Sequence, residues 1–313
     1  MRRCDEMGDG VAISILTFRR RDHLARSLDS VYAHKRELDE ILVIDNAAEK
    51  PLEEWLEKSF PGVRYLAMPY NGGCDGRNTA LREMRASVLI TLDDDVELVS
   101  GDCVATVRDA FERDSDLACL NFKVLDPKGH VLGREWCHPR PLSDASHEFE
   151  TCFILEGACA LRREVVLEAG GYPANFFLGH EGVDLAYRLI NRGKRILYSP
   201  KVEVKHYAAS EERPGWRLYY YNTRNGIWIA YRFFRWPSAI GDALENTAKM
   251  AFFALRAGHL RAHLKGFLDG LREMPNIGRE PLTASSLARL KTIRSQRVPL
   301  LGRIRRHLHE RIL

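Results

Sequence analysis

From Val11 onward, short apolar runs alternate with amphipathic stretches: VAISILT, DHLARSLDSVYAH, EILVIDN, PLEEWLEKSF, VRYLAM, and a helix following NGGCDGRN. Unbroken β-branched runs predict strands, and apolar positions three and four apart predict helices. The spacing therefore predicts a βαβ series as far as Asn121, with SVLITLDDD as its fourth strand. Strands that are apolar almost throughout bury both faces, so the fold class expected is α/β, a Rossmann-like, mostly parallel sheet with helices on both sides. In such sheets ligands bind at the carboxyl ends of the strands.

After Leu120 the pattern changes. DPKG reads as a turn, a polar stretch runs through HPRPLSD, and the apolar FILEGACAL leads into RREVVLEAGGYP. HEGVDLAYRLINRG reads as a helix ended by Gly193, followed by RILYSP and KVEVKH as two further short strands. Beyond Pro214 the chain reads as helical and rich in aromatics and arginine, broken at Pro237, Pro275 and Pro281. At its end, LARLKTIRSQRVPLLGRIRRHLHERIL sets Leu301, Ile304, Leu308 and Ile312 along one face with arginines around the rest, a basic amphipathic helix suited to anionic lipid headgroups, a dimer contact or domain packing.

Composition narrows the class. A chain of 313 residues with 45% hydrophobic content can bury a full core as one large domain or a domain with an appendage. Seven cysteines without a Cys-x-x-Cys pair suggest neither a disulfide framework nor a zinc knuckle, and fit a reducing cytoplasm. The start, MRRCDEMGDGVAISILT, is too short in apolar residues for a signal peptide, and no run reaches the ~18 apolar residues of a spanning helix, so membrane contact is expected to be peripheral. The net charge is only +4 overall and the basic residues concentrate in the tail, which argues against nucleic acid as a partner.

Candidate chemistry begins with LITLDDDVEL. Three carboxylates closing an apolar strand repel one another and lose hydration, which a divalent cation offsets. Hard aspartate oxygens favour Mn²⁺ or Mg²⁺, with coordination positions left for two phosphates of a nucleotide sugar. The competing reading is a solvated acidic turn capping a helix near Gly101.

In order along the chain, VAISILTFRRRDHL, ILVIDN, NGGCDGRN, LDDDV and FFLGHEGVDLAYRLINRGKRILYSPKVEVKH resemble the motifs of family 2 glycosyltransferases with the GT-A fold, including bacterial rhamnosyl- and glycosyltransferases of surface glycan synthesis; the match covers roughly Val11 to Tyr207. The resemblance implies a catalytic domain over residues 1–210, with a nucleotide half at about 11–120 and an acceptor half at about 121–210, and a helical region over 211–313. It implies that Thr17 and Arg19 line the nucleotide pocket, that Asp45 bonds the base, that Arg77 and Asn78 lie beside the donor, and that Asp93 and Asp94 contact the nucleotide. Asp95, with Asp93 and a histidine corresponding to His206, would hold the metal. Gly157, Ala158, His180 and Arg224 would lie on the acceptor side. The partners implied are a UDP-, dTDP- or GDP-sugar and a glycan or lipid-linked acceptor, with a cytoplasmic membrane surface or a homodimer as further partners. Several positions also have plain structural readings: a strand end at Thr17, a turn at Asp45, a helix start at NGGCDGRN, a structural His206, and core packing for WRLYYYNTRNGIWIAYRFFRW.

Inverting transfer needs a base for the acceptor hydroxyl. The family generally shows Glu-Asp-x-Asp, with the second acid as base; here that position is Gly182. The expectation is therefore Glu181 as base with Asp184, one turn on, orienting it or the acceptor, and His180 as an adjacent alternative. Gly182 also keeps open a catalytically impaired carbohydrate-binding or scaffold protein. A sugar nucleotidyltransferase is the other enzymatic alternative, weakened because FRRRDHL lacks a glycine-rich phosphate loop.

Overall fold

The structure, a computed structural model, describes residues 10–47, 51–131, 136, 138–207, 215–299 and 302. The described elements are, in order, β1 Val11–Thr17, α1 Arg21–Tyr32, β2 Glu40–Asn46, α2 Glu53–Ser59, β3 Arg64–Met68, α3 Asp75–Glu83, β4 Val88–Asp93, β5 Val96–Leu98, α4 Cys103–Arg113, β6 Leu117–Leu125, β7 Phe149–Glu150, β8 Ala158–Arg162, α5 Arg163–Glu168, α6 Glu181–Asn191 and β9 Arg195–His206. Four helices follow: α7 Trp216–Phe233, α8 Ser238–Arg256, α9 Leu260–Glu273 and α10 Ala284–Ser295.

One sheet runs in the order β3-β2-β1-β4-β8-β6-β9-β5, with β7 pairing β9. β3, β2, β1 and β4 are parallel, β8 enters antiparallel to β4, and β6 and β9 run parallel to each other. Alternate strand residues feed two cores. Ile13, Ile15, Val43 and Ile90 pack under α1 and α4, and Ala12, Leu42, Ile44 and Leu89 under α3, α5 and α6. Burial on both faces is why these strands read as continuous apolar runs.

RILYSP and KVEVKH, expected as two strands, form the single strand β9. Proline lacks a ladder N–H, and the register against β6 slips beside it: Tyr198 faces Asn121 while Glu203 faces Lys123, an irregularity that takes in Pro200 without ending the strand. Pro237 precedes α8, Pro275 lies in the 3-10 turn after α9, and Pro281 precedes α10, as the sequence suggested.

The segment WRLYYYNTRNGIWIAYRFFRW is a core helix in its second half, where α7 buries Ile227, Trp228, Ile229 and Phe233. α9 crosses it closely because Gly266 and Gly270 present bare backbone, and Trp228 Nε1 donates to Gly270 O at 3.1 Å. The outer faces of α8 and α9 leave Leu244, Leu255, Leu264 and Leu268 exposed. No described helix is long and apolar enough to cross a membrane. Leu301, Ile304, Leu308 and Ile312 lie outside the described residues.

Candidate active site

Parallel pairing of β1 with β2 and β4 brings Thr17, Asp45 and Asp93 to one edge, because Thr17 stands opposite Asp45 and Leu16 opposite Asp93. Asp45 is buried and accepts from the Tyr65 hydroxyl at 2.9 Å; burial raises its pKa, and the Tyr65 bond opposes the rise. Asn46 bridges to the glycine loop, accepting from Gly72 N at 2.8 Å and donating to Gly73 O at 3.0 Å.

The three aspartates are not a solvated turn. Asp94 is fully buried, accepting from Thr17 Oγ1 at 2.7 Å and Phe18 N at 3.3 Å, and burial pushes it up to about 7 against the pull of Arg20. Arg20 pairs with Asp94 and, at 2.8 Å, with Asp95. The arginine named from the sequence, Arg19, is instead exposed, with its guanidinium over the Phe18 ring. Three arginines stand in a row in the sequence, and only the turn into α1 decides that Arg20 is the one facing the carboxylates.

Asp95 is the position that fits a cation. β5 pairs antiparallel with β9, Val96 opposite His206, which sets His206 Nε2 at 3.7 Å from Asp95 Oδ1. That Oδ1 is buried without a hydrogen-bond partner. Among the described residues no group of three or more His, Cys, Asp or Glu side chains gathers as a complete cage. A cage is not required, since Mg²⁺-type ions are usually held by one or two carboxylates with substrate phosphates and water completing the shell.

Asp93 takes a different partner. Arg77 is buried and donates to Asp93 Oδ1 and, at 3.2 Å, to Thr91 Oγ1. Asn78 is engaged elsewhere: its amide donates to Tyr172 O and accepts from Tyr172 N, tying α3 to the loop between α5 and α6. Expected beside the donor, Asn78 is thus occupied by backbone. Gly157 packs against the Asp93 side chain and accepts from Asp93 N at 3.1 Å, so this glycine, expected on the acceptor side, adjoins the aspartates; Ala158 pairs with Leu92 inside the sheet.

The N-terminus of α6 closes the site. Glu181 is 8% exposed, its Oε2 lacks a hydrogen-bond partner, and burial raises its pKa, with Arg77 opposing and Asp93 adding. Asp184, expected to orient it, is fully buried and held by Arg188 and Arg232 instead. His180 takes a left-handed conformation at φ 67°, and burial lowers its imidazole to about 4, with Lys249 adding to that and Asn222 and Asp242 opposing; these groups belong to the α7–α8 side. Arg224 donates to Asn175 O and Phe176 O, while Asn225 donates to Phe176 O, Leu178 O and Gly179 O, so the pair clamps the loop that delivers Glu181.

A carboxylate not foreseen from the sequence also stands here. Glu156, just before β8, accepts from Gly182 N at 2.6 Å and lies close enough to Glu181 for the two charges to interact. Its only sequence signal is an acid ending the apolar run FILE immediately before Gly157.

The family model for glycosyl transferase family 2 matches residues 12–171. An O-antigen biosynthesis protein, RfbC, from Myxococcus xanthus is 25% identical over 325 residues, covering 95% of this chain and 24% of the relative, so the chain spans about a quarter of that protein's length. Among solved structures, GalNAc-T7 with UDP, GalNAc and Mn²⁺ matches with TM-score 0.58 and 17% identity over 88% of this chain and 56% of that one. The mannosyltransferase PcManGT from Pyrobaculum calidifontis, in complex with GDP-Man and Mn²⁺, matches with TM-score 0.55 and 18% identity over 90% of this chain and 78% of that one. At these identities the likeness is one of fold.

Proposed function

This chain belongs to glycosyl transferase family 2, and from that premise we propose that it transfers a sugar, with inversion, from a nucleotide-diphosphate donor to the hydroxyl of a glycan or lipid-linked acceptor. The observation that carries the proposal is the edge shared by Asp45, Asp93 and Asp95, where a buried Asp95 oxygen that accepts no hydrogen bond faces His206. The fold is that of structures described with Mn²⁺ and with UDP or GDP-Man, which supports a UDP- or GDP-linked donor here, with a dTDP-sugar as the third donor to test.

In this reading Asp45 and Thr17 border the nucleoside, and Asp93, fixed by Arg77, borders the donor sugar. A divalent cation, Mn²⁺ or Mg²⁺, at Asp95 and His206 would offset the charge of the departing diphosphate. Arg20, already seated on Asp94 and Asp95, adds a fixed positive charge at the same edge. The acceptor proton passes to a carboxylate at the N-terminus of α6, where Glu181 stands in an environment that raises its proton affinity. The acceptor oxygen then bonds to the anomeric carbon as the diphosphate leaves from the opposite side with its bonding electrons.

The RfbC relative suggests a cell-surface polysaccharide or glycolipid as the acceptor class. That acceptor would place the protein in the cytoplasm, peripheral to the inner face of its membrane. Proton NMR of the glycoside formed from UDP-, dTDP- and GDP-hexoses tests the mechanism. The expected product has the anomeric configuration opposite to the donor's, and a product that keeps the donor's configuration would contradict inversion.

A further inference from the structure

Residues 156 and 157 are held against β4 at two points: Thr91 Oγ1 donates to Glu156 O at 3.1 Å, and Asp93 N donates to Gly157 O at 3.1 Å. From this anchored backbone the Glu156 side chain reaches the first turn of α6, accepting from Gly182 N. A Cβ on Gly182 would run into Glu156 Oε1 and the Ile154 carbonyl. Gly182 has no positive φ, so bare space, not backbone conformation, is what the glycine supplies. The place of a side chain at 182 is filled by a carboxylate from the other side of the cleft. Glu181 stands beside it, more than nine-tenths buried, with one oxygen unpartnered.

We propose that the proton acceptor of this enzyme is the carboxylate pair Glu156–Glu181, with Glu156 delivering from the β8 turn the acid that position 182 does not carry. The inference rests on the transferase reading above and deepens it. In the step, the acceptor O–H bond breaks, the proton is taken up by the pair, and the freed electron pair forms the bond to the anomeric carbon as the bond to the diphosphate oxygen breaks. Two buried carboxylates in one site hold a proton between them more tightly than either alone. In keeping with this, burial first and the Glu181 charge second hold Glu156 up at about 8. Arg77 lies close enough to act on both acids and limits the repulsion.

A plain alternative is that Glu156 only caps α6, and the amide of glutamine serves that purpose as well, since its oxygen can accept the Gly182 N–H. The test is therefore E156Q, measured by release of nucleoside diphosphate from whichever UDP-, dTDP- or GDP-hexose the unmodified chain hydrolyses with Mn²⁺, water standing in for the acceptor. Calorimetric titration of the matching nucleoside diphosphate is the companion readout. The pair predicts a kcat lower by ~10²-fold or more in both E156Q and E181Q, little further loss in the double variant, and unchanged diphosphate affinity. It also predicts that E156D, which keeps an acid on the same turn, retains part of the kcat that E156Q loses. Wild-type kcat in E156Q overturns the pair while leaving the transferase reading intact. Failure of the unmodified chain to bind any of the three diphosphates or turn over any donor overturns both.

Discussion

Asp184 separates a structural acid from a catalytic one, and Asp184→Asn is the informative perturbation. Its carboxylate is fully buried; Arg188 Nε donates to it at 2.7 Å, and Arg232 Nη1 at 3.1 Å. The same Arg188 donates to Ala169 O and Gly171 O, so one carboxylate fixes α6, the loop after α5 and α7 together. Burial dominates on both sides of the pair, raising Asp184 and lowering Arg188. Desolvation thus offsets much of the attraction, and the intact pair adds little net stability. Removing one partner is different, because it leaves a buried guanidinium uncompensated at a cost of about 3–5 kcal/mol. At roughly 2 °C per kcal/mol for a chain of this size, D184N should melt about 6–10 °C lower. Differential scanning calorimetry reads that shift, and kcat well below the melting range should stay within several-fold of the unmodified chain. A variant that melts normally but loses kcat a hundredfold would refute the reasoning and return Asp184 to the catalytic group.

Two further perturbations probe the frame. His138 is buried among Trp136, Phe149 and Tyr198, and burial holds its imidazole down at about 3. Below about pH 6.5 the unfolded chain binds a proton the folded chain refuses, so stability falls by up to about 1.4 kcal/mol per pH unit between 6.5 and 3. H138F should flatten the dependence of the urea midpoint on pH by that one proton, and an unchanged slope would count against the assignment. Gly73 has φ 58°, and a Cβ there would strike the Phe177 carbonyl that accepts from Cys74 N. G73A should cost more than about 2 kcal/mol by strain and overpacking, read from denaturant midpoints, and a silent substitution would show that the loop yields freely.

The strands were legible because burial on both faces writes itself as uninterrupted apolar residues, and VAISILT, EILVIDN and SVLITLD are β1, β2 and β4 almost to the residue. The aspartate triplet was legible for the opposite reason, charges having no cause to follow such a strand unless something at its end needs them. What stayed hidden depends on contacts distant in sequence. Asn78 and Arg224 look like ligand-binding polar groups, yet both are taken up by backbone carbonyls of the loop before α6. Arg20 and Arg19 are chemically identical neighbours until a positive φ at Arg19 sends them apart. Glu156 meets Gly182 only because β8 inserts antiparallel beside β4 and fixes that turn across the cleft from α6. RILYSPKVEVKH was split at Pro200 because the irregular pairing that lets a strand continue past a proline is a property of its partner, β6.

The central claim is that the edge formed by Asp95 and His206 holds a divalent cation that in turn holds a diphosphate. Calorimetric titration of UDP, dTDP and GDP into the unmodified chain and into D95N, each with Mn²⁺ and with the metal chelated, tests it most directly. The account predicts that one nucleotide binds at least about tenfold more tightly with Mn²⁺, about 1.4 kcal/mol, and that D95N abolishes the gain. Equal affinity with and without Mn²⁺, or a gain that survives in D95N, would contradict it.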